Sequence, residues 1–178
     1  MPSTPRYTGT AIALHWLLAL ALFGLFGMGL YMTELSMSPT RLKLYNWHKW
    51  AGVTVLALSF LRLAWRLTHR PPAEPPMPAW QARAAQAAHV ALYALFFAVP
   101  LAGWAYSSAA GFPVVWFGVL PLPDLVAPDR ELAEAIKPVH KILAYTMAAI
   151  VLVHIAGALK HQLVDRDGLL RRMWPGLA

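Results

Sequence analysis

Five of the seven histidines in this chain occur inside or at the edge of long apolar segments. They are His15, His48, His89, His140 and His154. An ionisable side chain in an apolar segment of this kind is costly and usually serves a function. A lone histidine of this type is most simply a packed, hydrogen-bonded residue. Five of them in four segments predict a shared role as ligands.

The spacing of these histidines predicts two separate sites. His140 and His154 lie 14 residues apart in one segment, which in an α-helix is close to four turns and about 21 Å along one face. His48 begins its segment at the depth of His140, and His15 lies at the depth of His154. We therefore expect two histidine pairs at two depths, each pair drawn from two helices.

Haem fits between two imidazoles in an apolar bundle better than a simple metal ion does. It is a large apolar disc whose iron takes two axial ligands, whereas zinc needs three or four ligands at one point and copper usually recruits sulfur. The chain has no cysteine, which excludes iron–sulfur clusters and covalently attached haem. Gly52, Ala144 and Gly157 lie near the ligands and leave room for a flat macrocycle, although small residues also serve helix packing in lipid.

His89 has more than one interpretation. It begins the third apolar segment, at the depth of His15 and His154. It can replace one of them as a ligand, or it can donate a hydrogen bond to a haem propionate or a quinone oxygen. The spacing alone leaves these alternatives open.

Four apolar segments must position the histidines, at about 11–32, 47–67, 87–107 and 138–161. Each has about 20 residues, enough for a helix to cross the hydrocarbon of a bilayer. Hydrophobic residues make up 58% of the chain and charged residues only 13%, about half the charged share of a soluble domain. We predict an all-α integral membrane four-helix bundle, formed as a single domain over residues 1–178.

The connections differ in composition. Residues 33–46 are expected to form a short polar connection, and the proline-rich residues 69–78 cannot be helical throughout. The longest connection, residues 107–137, contains Phe112, Trp116 and Phe117 and is expected to lie partly in the membrane interface.

The net charge of +7 and the pI near 10.1 indicate membrane lipid rather than nucleic acid, because the basic residues flank apolar segments. One side holds nine basic residues: Arg6, Arg62, Arg66, Arg70, Arg83, Lys160, Arg166, Arg171 and Arg172. The other holds six: Arg41, Lys43, Lys49, Arg130, Lys137 and Lys141. The acidic residues divide into three (Glu74, Asp165, Asp167) and five (Glu34, Asp124, Asp129, Glu131, Glu134). The positive-inside rule then predicts that both termini are cytoplasmic.

The chain resembles the bacterial cytochrome b561 family over almost its whole length, and more distantly the cytochrome b subunits of nickel–iron hydrogenases and formate dehydrogenases. The matching features are Ile12-Ala13-Leu14-His15-Trp16, His48…Gly52, Arg62…Trp65-Arg66, Pro71-Pro72, His89…Tyr93, Pro100…Gly103 and His161…Asp165…Leu169-Leu170-Arg171-Arg172-Met173. The pair His140…His154 is the most specific of them.

This resemblance implies a multi-pass protein of the bacterial inner (plasma) membrane with two haems b. It assigns His15 and His154 to a cytoplasmic-side haem and His48 and His140 to a periplasmic-side haem, as axial ligands of the iron. It also implies exchange with the quinone pool. Small stand-alone members are similar to the superoxide oxidase type, an oxidoreductase that passes an electron from superoxide to ubiquinone.

Lysines accompany the two histidines on the periplasmic side. Lys49 follows His48, Lys141 follows His140, and Lys137 lies one turn earlier. Positive charge beside a haem edge attracts a small anion such as superoxide and raises its local concentration. The alternative is that these lysines reach to the interface or pair with propionates.

Polar groups at the opposite end are candidate quinone or propionate contacts. They are His89, Arg62, Arg66, His161 and Asp165, together with Arg166. His161 and Asp165 are four residues apart on one helix face and can act together. The alternative is a charged helix end solvated by the cytoplasm.

Three rival functions remain open at this stage. The chain can be an electron-relay subunit that anchors a periplasmic dehydrogenase or hydrogenase, a haem-free transporter with a histidine-lined path, or the same electron route run from quinol outwards. The sequence identifies no particular protein partner.

Overall fold

The computed structural model describes residues 6–73 and 75–175 and contains four long helices. They are α1 (Gly9–Glu34), α2 (Pro39–Thr68), α3 (Ala79–Ala109) and α4 (Arg130–Lys160). A single π-helical turn, His161–Asp165, continues α4, and a short 3₁₀ turn covers Leu170–Met173. All four helices, the last with its π turn, are long and apolar enough to cross a membrane. The predicted all-α membrane bundle is therefore confirmed.

Each helix, the last together with its π turn, contains its predicted span and extends beyond it. The connection expected at residues 33–46 is wrong in length, since α2 already begins at Pro39. Ser38 caps this helix by accepting a hydrogen bond from the Arg41 N–H, and a proline is favourable in the first turn because its missing N–H is not needed there. Asp129 likewise caps α4. The caps, rather than the apolar boundaries, determine where these helices start.

The helices pack in pairs, α1 along α2, α2 along α3, and α3 along α4. Large apolar side chains cover their outer surfaces, for example Leu20, Phe60, Leu152 and Val153, each more than half exposed. A water-soluble bundle does not leave continuous apolar surface of this kind open to solvent. Lipid is the solvent that suits it, as the composition predicted.

Both described ends of the chain lie at one end of the bundle, which we call the terminal end. Trp16 Nε1 donates to the Met173 carbonyl oxygen (2.7 Å), and the Tyr7 N–H donates to that of Arg172 (3.3 Å). The Arg172 side chain donates to the Ala73 carbonyl oxygen (2.6 Å), which fixes the tail to the proline-rich connection. Glu74, counted above in the charge balance, lies outside the described residues.

The opposite end, which we call the hairpin end, carries a small β-hairpin in the connection between α3 and α4. Strands β1 (Val115–Trp116) and β2 (Leu120–Pro121) pair antiparallel. Phe117 (φ 53°) and Gly118 (φ 73°) form the turn, with the positive φ values that tight hairpins require. Trp116 Nε1 donates to Thr54 Oγ1 of α2 (3.2 Å) and so ties the hairpin to the bundle.

Candidate haem-binding site

The four helices carry functional side chains at two levels separated by the same interval. In every helix the two positions are 14 residues apart: His15 and Gly29 in α1, His48 and Arg62 in α2, His89 and Gly103 in α3, His140 and His154 in α4. Because neighbouring helices run in opposite directions, the hairpin level consists of Gly29, His48, Gly103 and His140. The terminal level consists of His15, Arg62, His89 and His154. Two of these helices supply histidines to each predicted pair.

At the hairpin level, the imidazoles of His48 and His140 lie next to each other. Their ring centroids lie 6.4 Å apart, with the ring planes at 86°. His140 Nδ1 lies 2.9 Å from the carbonyl oxygen of Val99, so Nδ1 carries the proton and donates it, and Nε2 is left with a lone pair. Metal-binding histidines are commonly oriented in this way by a backbone carbonyl.

Glycine lets His140 approach α3 this closely. A Cβ atom built on Gly103 would lie 2.9 Å from His140 Cε1 and 3.1 Å from Nδ1, closer than real side chains tolerate. On the other side of the pair, a Cβ on Gly29 would lie 3.5 Å from His48 Cε1, an ordinary contact. By contrast, a Cβ on Gly52 or Gly157, the glycines singled out from the sequence, would meet no atom within 4 Å.

His48 is oriented differently from its partner. Its Nδ1 is buried and has no hydrogen-bond partner in the described part of the chain. Its ring lies against Gly29 of α1, whereas a hydrogen bond holds that of His140.

The terminal level brings three histidines together. The His15 and His154 ring centroids are 6.2 Å apart, and those of His89 and His154 are 5.4 Å apart. His89 is the exposed member of the three, while His15 and His154 are partly buried. The structure thus brings His89 to the predicted pair, at its open side.

Arg62 completes this level. Its Nη2 lies 3.2 Å from His15 Nδ1, and its guanidinium lies 5.9 Å from the ring centre of Tyr93. A guanidinium has only donors, so His15 Nδ1 is the acceptor and the proton of the neutral ring is on Nε2. Ligation of a metal by either nitrogen of His15 therefore requires Arg62 to move away from Nδ1.

The separations within the two pairs fit one metal ion between each. Imidazole nitrogens bind metals at about 2.0–2.1 Å, which places the centres of two opposed rings on the order of 6.5 Å apart. The observed 6.4 Å and 6.2 Å agree with this arrangement. Two imidazoles at this separation within a bundle of apolar helices suit a haem iron.

A polar cluster lies beyond the terminal level. His161 Nδ1 is 2.6 Å from Asp167 Oδ2 and 3.2 Å from Asp165 Oδ2, and Lys160 Nζ is 2.7 Å from Asp165 Oδ2. The structure therefore brings His161 and Asp165 together as the sequence predicted, within a π-helical turn, a feature frequent at functional sites. Arg66 is exposed one turn beyond Arg62 in α2.

Asp167 is a member of this cluster that sequence reasoning missed as a site residue. Burial raises the pKa of its carboxyl, but the Leu169 N–H and the His161 ring outweigh that effect and hold the pKa below its ordinary value. The signal available in the sequence was its position just before Gly168, where the chain turns back and brings Asp167 towards His161.

The three lysines proposed to attract an anion have different surroundings. Lys49 Nζ donates to the carbonyl oxygens of Phe112 (3.4 Å) and Pro113 (3.2 Å), so it anchors the connection that carries the hairpin. Lys141 is exposed, with Nζ 5.9 Å from the ring centre of Tyr145. Lys137 is exposed and lines a cavity of about 480 Å³ between the ends of α3 and α4.

Comparison with known proteins is consistent with this arrangement. Residues 6–176 match the family model described as prokaryotic cytochrome b561. Cytochrome b561 homolog 2 of Escherichia coli (strain K12) is 34% identical, over 96% of this chain and 93% of the relative. Cytochrome b561 homolog 1 of the same organism is 34% identical, over 96% and 97%. A probable superoxide oxidase CybB of Yersinia pestis is 26% identical, over 96% of both chains.

Family and fold agree on a multi-pass protein of the bacterial inner membrane with an electron-transfer role. Proteins of this family bind haem b, the group that the separations of the two imidazole pairs fit. The chain belongs to the prokaryotic cytochrome b561 family.

Proposed function

We propose that this protein is a di-haem cytochrome b that moves electrons between superoxide in the periplasm and the ubiquinone pool. His48 and His140 hold one haem b at the hairpin level, and His15 and His154 hold a second at the terminal level. The observation that carries the proposal is the pair of neighbouring imidazoles from two helices at each level, with ring centres 6.4 Å and 6.2 Å apart.

The chain's own contribution is to fix the ligands, exclude water and place polar groups. When bound, haem b supplies one-electron redox chemistry at its iron. The Val99 carbonyl holds the His140 ring with Nε2 directed away from that hydrogen bond. The apolar helices keep water from the space between the levels.

The two levels differ in a way that suits different substrates. Besides its two histidines, the hairpin level as defined consists of Gly29 and Gly103, which have no side chain that can donate or accept a proton. The terminal level has His89 and Arg62, with the His161 cluster beyond them. Oxidation of superoxide releases an electron and O₂ without needing a proton, so the hairpin level is adequate for it.

Quinone reduction is assigned to the terminal level because it needs protons. Two superoxide ions give up one electron each, and one ubiquinone takes two electrons and two protons to become ubiquinol. His89 is exposed beside His154, where it can donate a hydrogen bond to a quinone oxygen reached from the lipid. Asp165, Asp167 and His161 lie between this level and the predicted cytoplasm, where they can pass protons inwards.

Superoxide is favoured as the donor by charge and by similarity. Lys137 and Lys141 are exposed on the same helix end as His140, and positive charge there raises the local concentration of a small anion. A relative that is 26% identical over 96% of its length is named a probable superoxide oxidase. The lysine of the pair His48-Lys49 has its ammonium group on loop carbonyls, so we assign it to anchoring the loop.

Spectroscopy of the purified protein tests the proposal. We expect a Soret band, b-type haem by the pyridine haemochrome assay, and two haems per chain. Enzymatically generated superoxide should reduce the haem, and a soluble ubiquinone analogue should reoxidise it. The double variant His140→Ala/His154→Ala should lack both haems. A colourless protein, or a double variant with full pigment, would contradict the proposal.

The same experiment separates the proposal from the relay-subunit alternative. A relay subunit would bind the same haems but accept electrons only from a protein that co-purifies with it. Reduction of the isolated chain by superoxide, with turnover when quinone is added, would exclude that alternative. Haem that only a bound partner protein can reduce would support it.

A further inference from the structure

A partly buried cation lies above the histidine pair of the hairpin level. Arg41 is in the first turn of α2, seven residues before His48, which places it two turns nearer the hairpin end on the same face, about 10.5 Å along the axis. Tyr45 lies between them on this face. The helix therefore presents a guanidinium, a phenol and an imidazole in one line.

The contacts of Arg41 leave its charge without an anion. Its Nη2 is 3.3 Å from the Tyr45 hydroxyl, and its guanidinium is 5.6 Å from the Tyr45 ring centre. Its Nε is buried and unpartnered within residues 6–73 and 75–175, and no ion pair joins Arg41 to a carboxylate of that part of the chain. A guanidinium whose buried N–H has no acceptor is unfavourable unless an acceptor, best an anion, joins it.

A second orphaned donor lies at the same end of the bundle. Trp104 directly follows Gly103, the glycine against His140, and its Nε1 is buried with no acceptor in the described residues. Buried indole N–H groups normally have a partner. Arg41 and Trp104 are thus two buried donors without acceptors, on two helices that enclose the same histidine pair.

We infer that Arg41, Tyr45 and Trp104 form the carboxylate-binding site for the propionate edge of the haem at the hairpin level. This inference rests on the proposed function, because it needs a haem between His48 and His140. A haem carries its only charged groups, two carboxylates, along one edge, and that edge must turn towards the aqueous end of the bundle. Arg41 is two turns in that direction, and the Tyr45 hydroxyl, which accepts from Arg41, has its own proton left to donate.

The experiment compares single variants of the full-length protein in detergent, with haem per chain and the midpoint potential of each haem as the measurements. Arg41→Gln removes a positive charge near one haem, so we expect that haem's reduction equilibrium to shift about tenfold towards the oxidised form. For a one-electron couple this is about 59 mV. We also expect faster loss of that haem to a haem-scavenging protein. Tyr45→Phe and Trp104→Phe should accelerate the loss with smaller shifts in potential.

Lys43→Gln is the matched control. Lys43 has the same charge and lies in the same turn of α2, but it is exposed and its ammonium lies 4.8 Å from the ring centre of Trp47. It should leave both potentials and the haem content unchanged. Arg41→Lys keeps the charge without the planar fork, so it should restore most of the potential while the haem remains easier to extract.

A variant that lacks the hairpin-level histidines shows which haem the Arg41→Gln substitution affects. In the variant His48→Ala/His140→Ala only the terminal-level haem remains, and adding Arg41→Gln should then change nothing. If wild-type protein binds two haems and Arg41→Gln shifts neither potential nor haem loss, the inference is wrong and the proposed function stands. If wild-type protein binds no haem, the proposed function itself fails. Equal effects of Arg41→Gln and Lys43→Gln would also overturn the inference, since they would indicate general surface charge or lipid binding.

Discussion

At the hairpin level, Gly103 and His140 show how little space separates α3 from α4. The imidazole occupies the place where any other residue at 103 would have its Cβ, and Val99, one turn earlier, supplies the carbonyl oxygen that orients the ring. Val99 is followed by Pro100, which lacks an N–H and disturbs the regular backbone hydrogen bonding of a helix. A short stretch of α3 thus positions a ligand that belongs to α4.

We expect Gly103→Ala to disturb the hairpin-level haem. The added methyl group must displace the His140 ring, at a cost of about 1–3 kcal/mol for overpacking of this kind. The measurements are haem per chain and the thermal unfolding midpoint, and we expect the first to fall from two towards one. Gly24→Ala is the control, because a Cβ there meets nothing within 4 Å. Full haem content in Gly103→Ala would show that the ring can move without losing its ligand role.

The sequence alone predicted which histidines lie close together, but it did not predict which glycines pack against them. The 14-residue interval between His140 and His154 needs only the geometry of one helix, so it can be read from a single segment. The tight contact at Gly103, by contrast, depends on the distance between two helices, which no spacing along the chain contains. For the same reason Gly52 and Gly157 were singled out, while Gly29 was not.

At the scale of elements, the connection between α3 and α4 differs most from expectation. Its aromatic residues predicted a position partly in the membrane interface but no regular structure, and the connection contains a β-hairpin held to α2 by Trp116 and Lys49. Two-residue strands have no sequence signal of their own. Their stability comes from contacts with Thr54 and Trp50, which are more than 60 residues away in the chain.

The roles of the three lysines at the hairpin end can be distinguished by experiment. We expect Lys137→Gln/Lys141→Gln to slow reduction by superoxide several-fold and to weaken its dependence on ionic strength, because electrostatic attraction acts on the association rate. Stopped-flow measurements at several salt concentrations test this. Lys49→Gln should instead loosen the hairpin, which faster amide hydrogen exchange at residues 112–121 would reveal. An unchanged rate and an unchanged salt dependence in the double variant would contradict the prediction that these lysines attract superoxide.

For the whole molecule, composition and apolar segments were sufficient to predict the four-helix membrane bundle, because lipid permits few other ways to satisfy the backbone. The lengths of the helices were less predictable. Caps such as Ser38 and Asp129 lie in polar sequence outside the apolar segments. The helices therefore extend beyond the hydrocarbon of the bilayer, and hydropathy does not predict the ends of these polar extensions.

The orientation in the membrane is a further prediction for the whole molecule. The chain has no cysteine, so single introduced cysteines report on one position each. Val119→Cys, at the hairpin tip and 82% exposed, should react with a membrane-impermeant maleimide added to spheroplasts. Ala73→Cys, exposed in the proline-rich connection, should react only after the membrane is opened. The reverse pattern would place both termini in the periplasm.

The shared interval between the two levels has a consequence for which changes this protein can tolerate. Deleting or inserting one residue anywhere between the two levels of a helix would turn one level by about 100° relative to the other. The segment of each helix between the two levels therefore tolerates exchange of one apolar side chain for another, but it does not tolerate a change in length. Every gain or loss of residues must be accommodated outside the fourteen-residue interval, in the connections and tails.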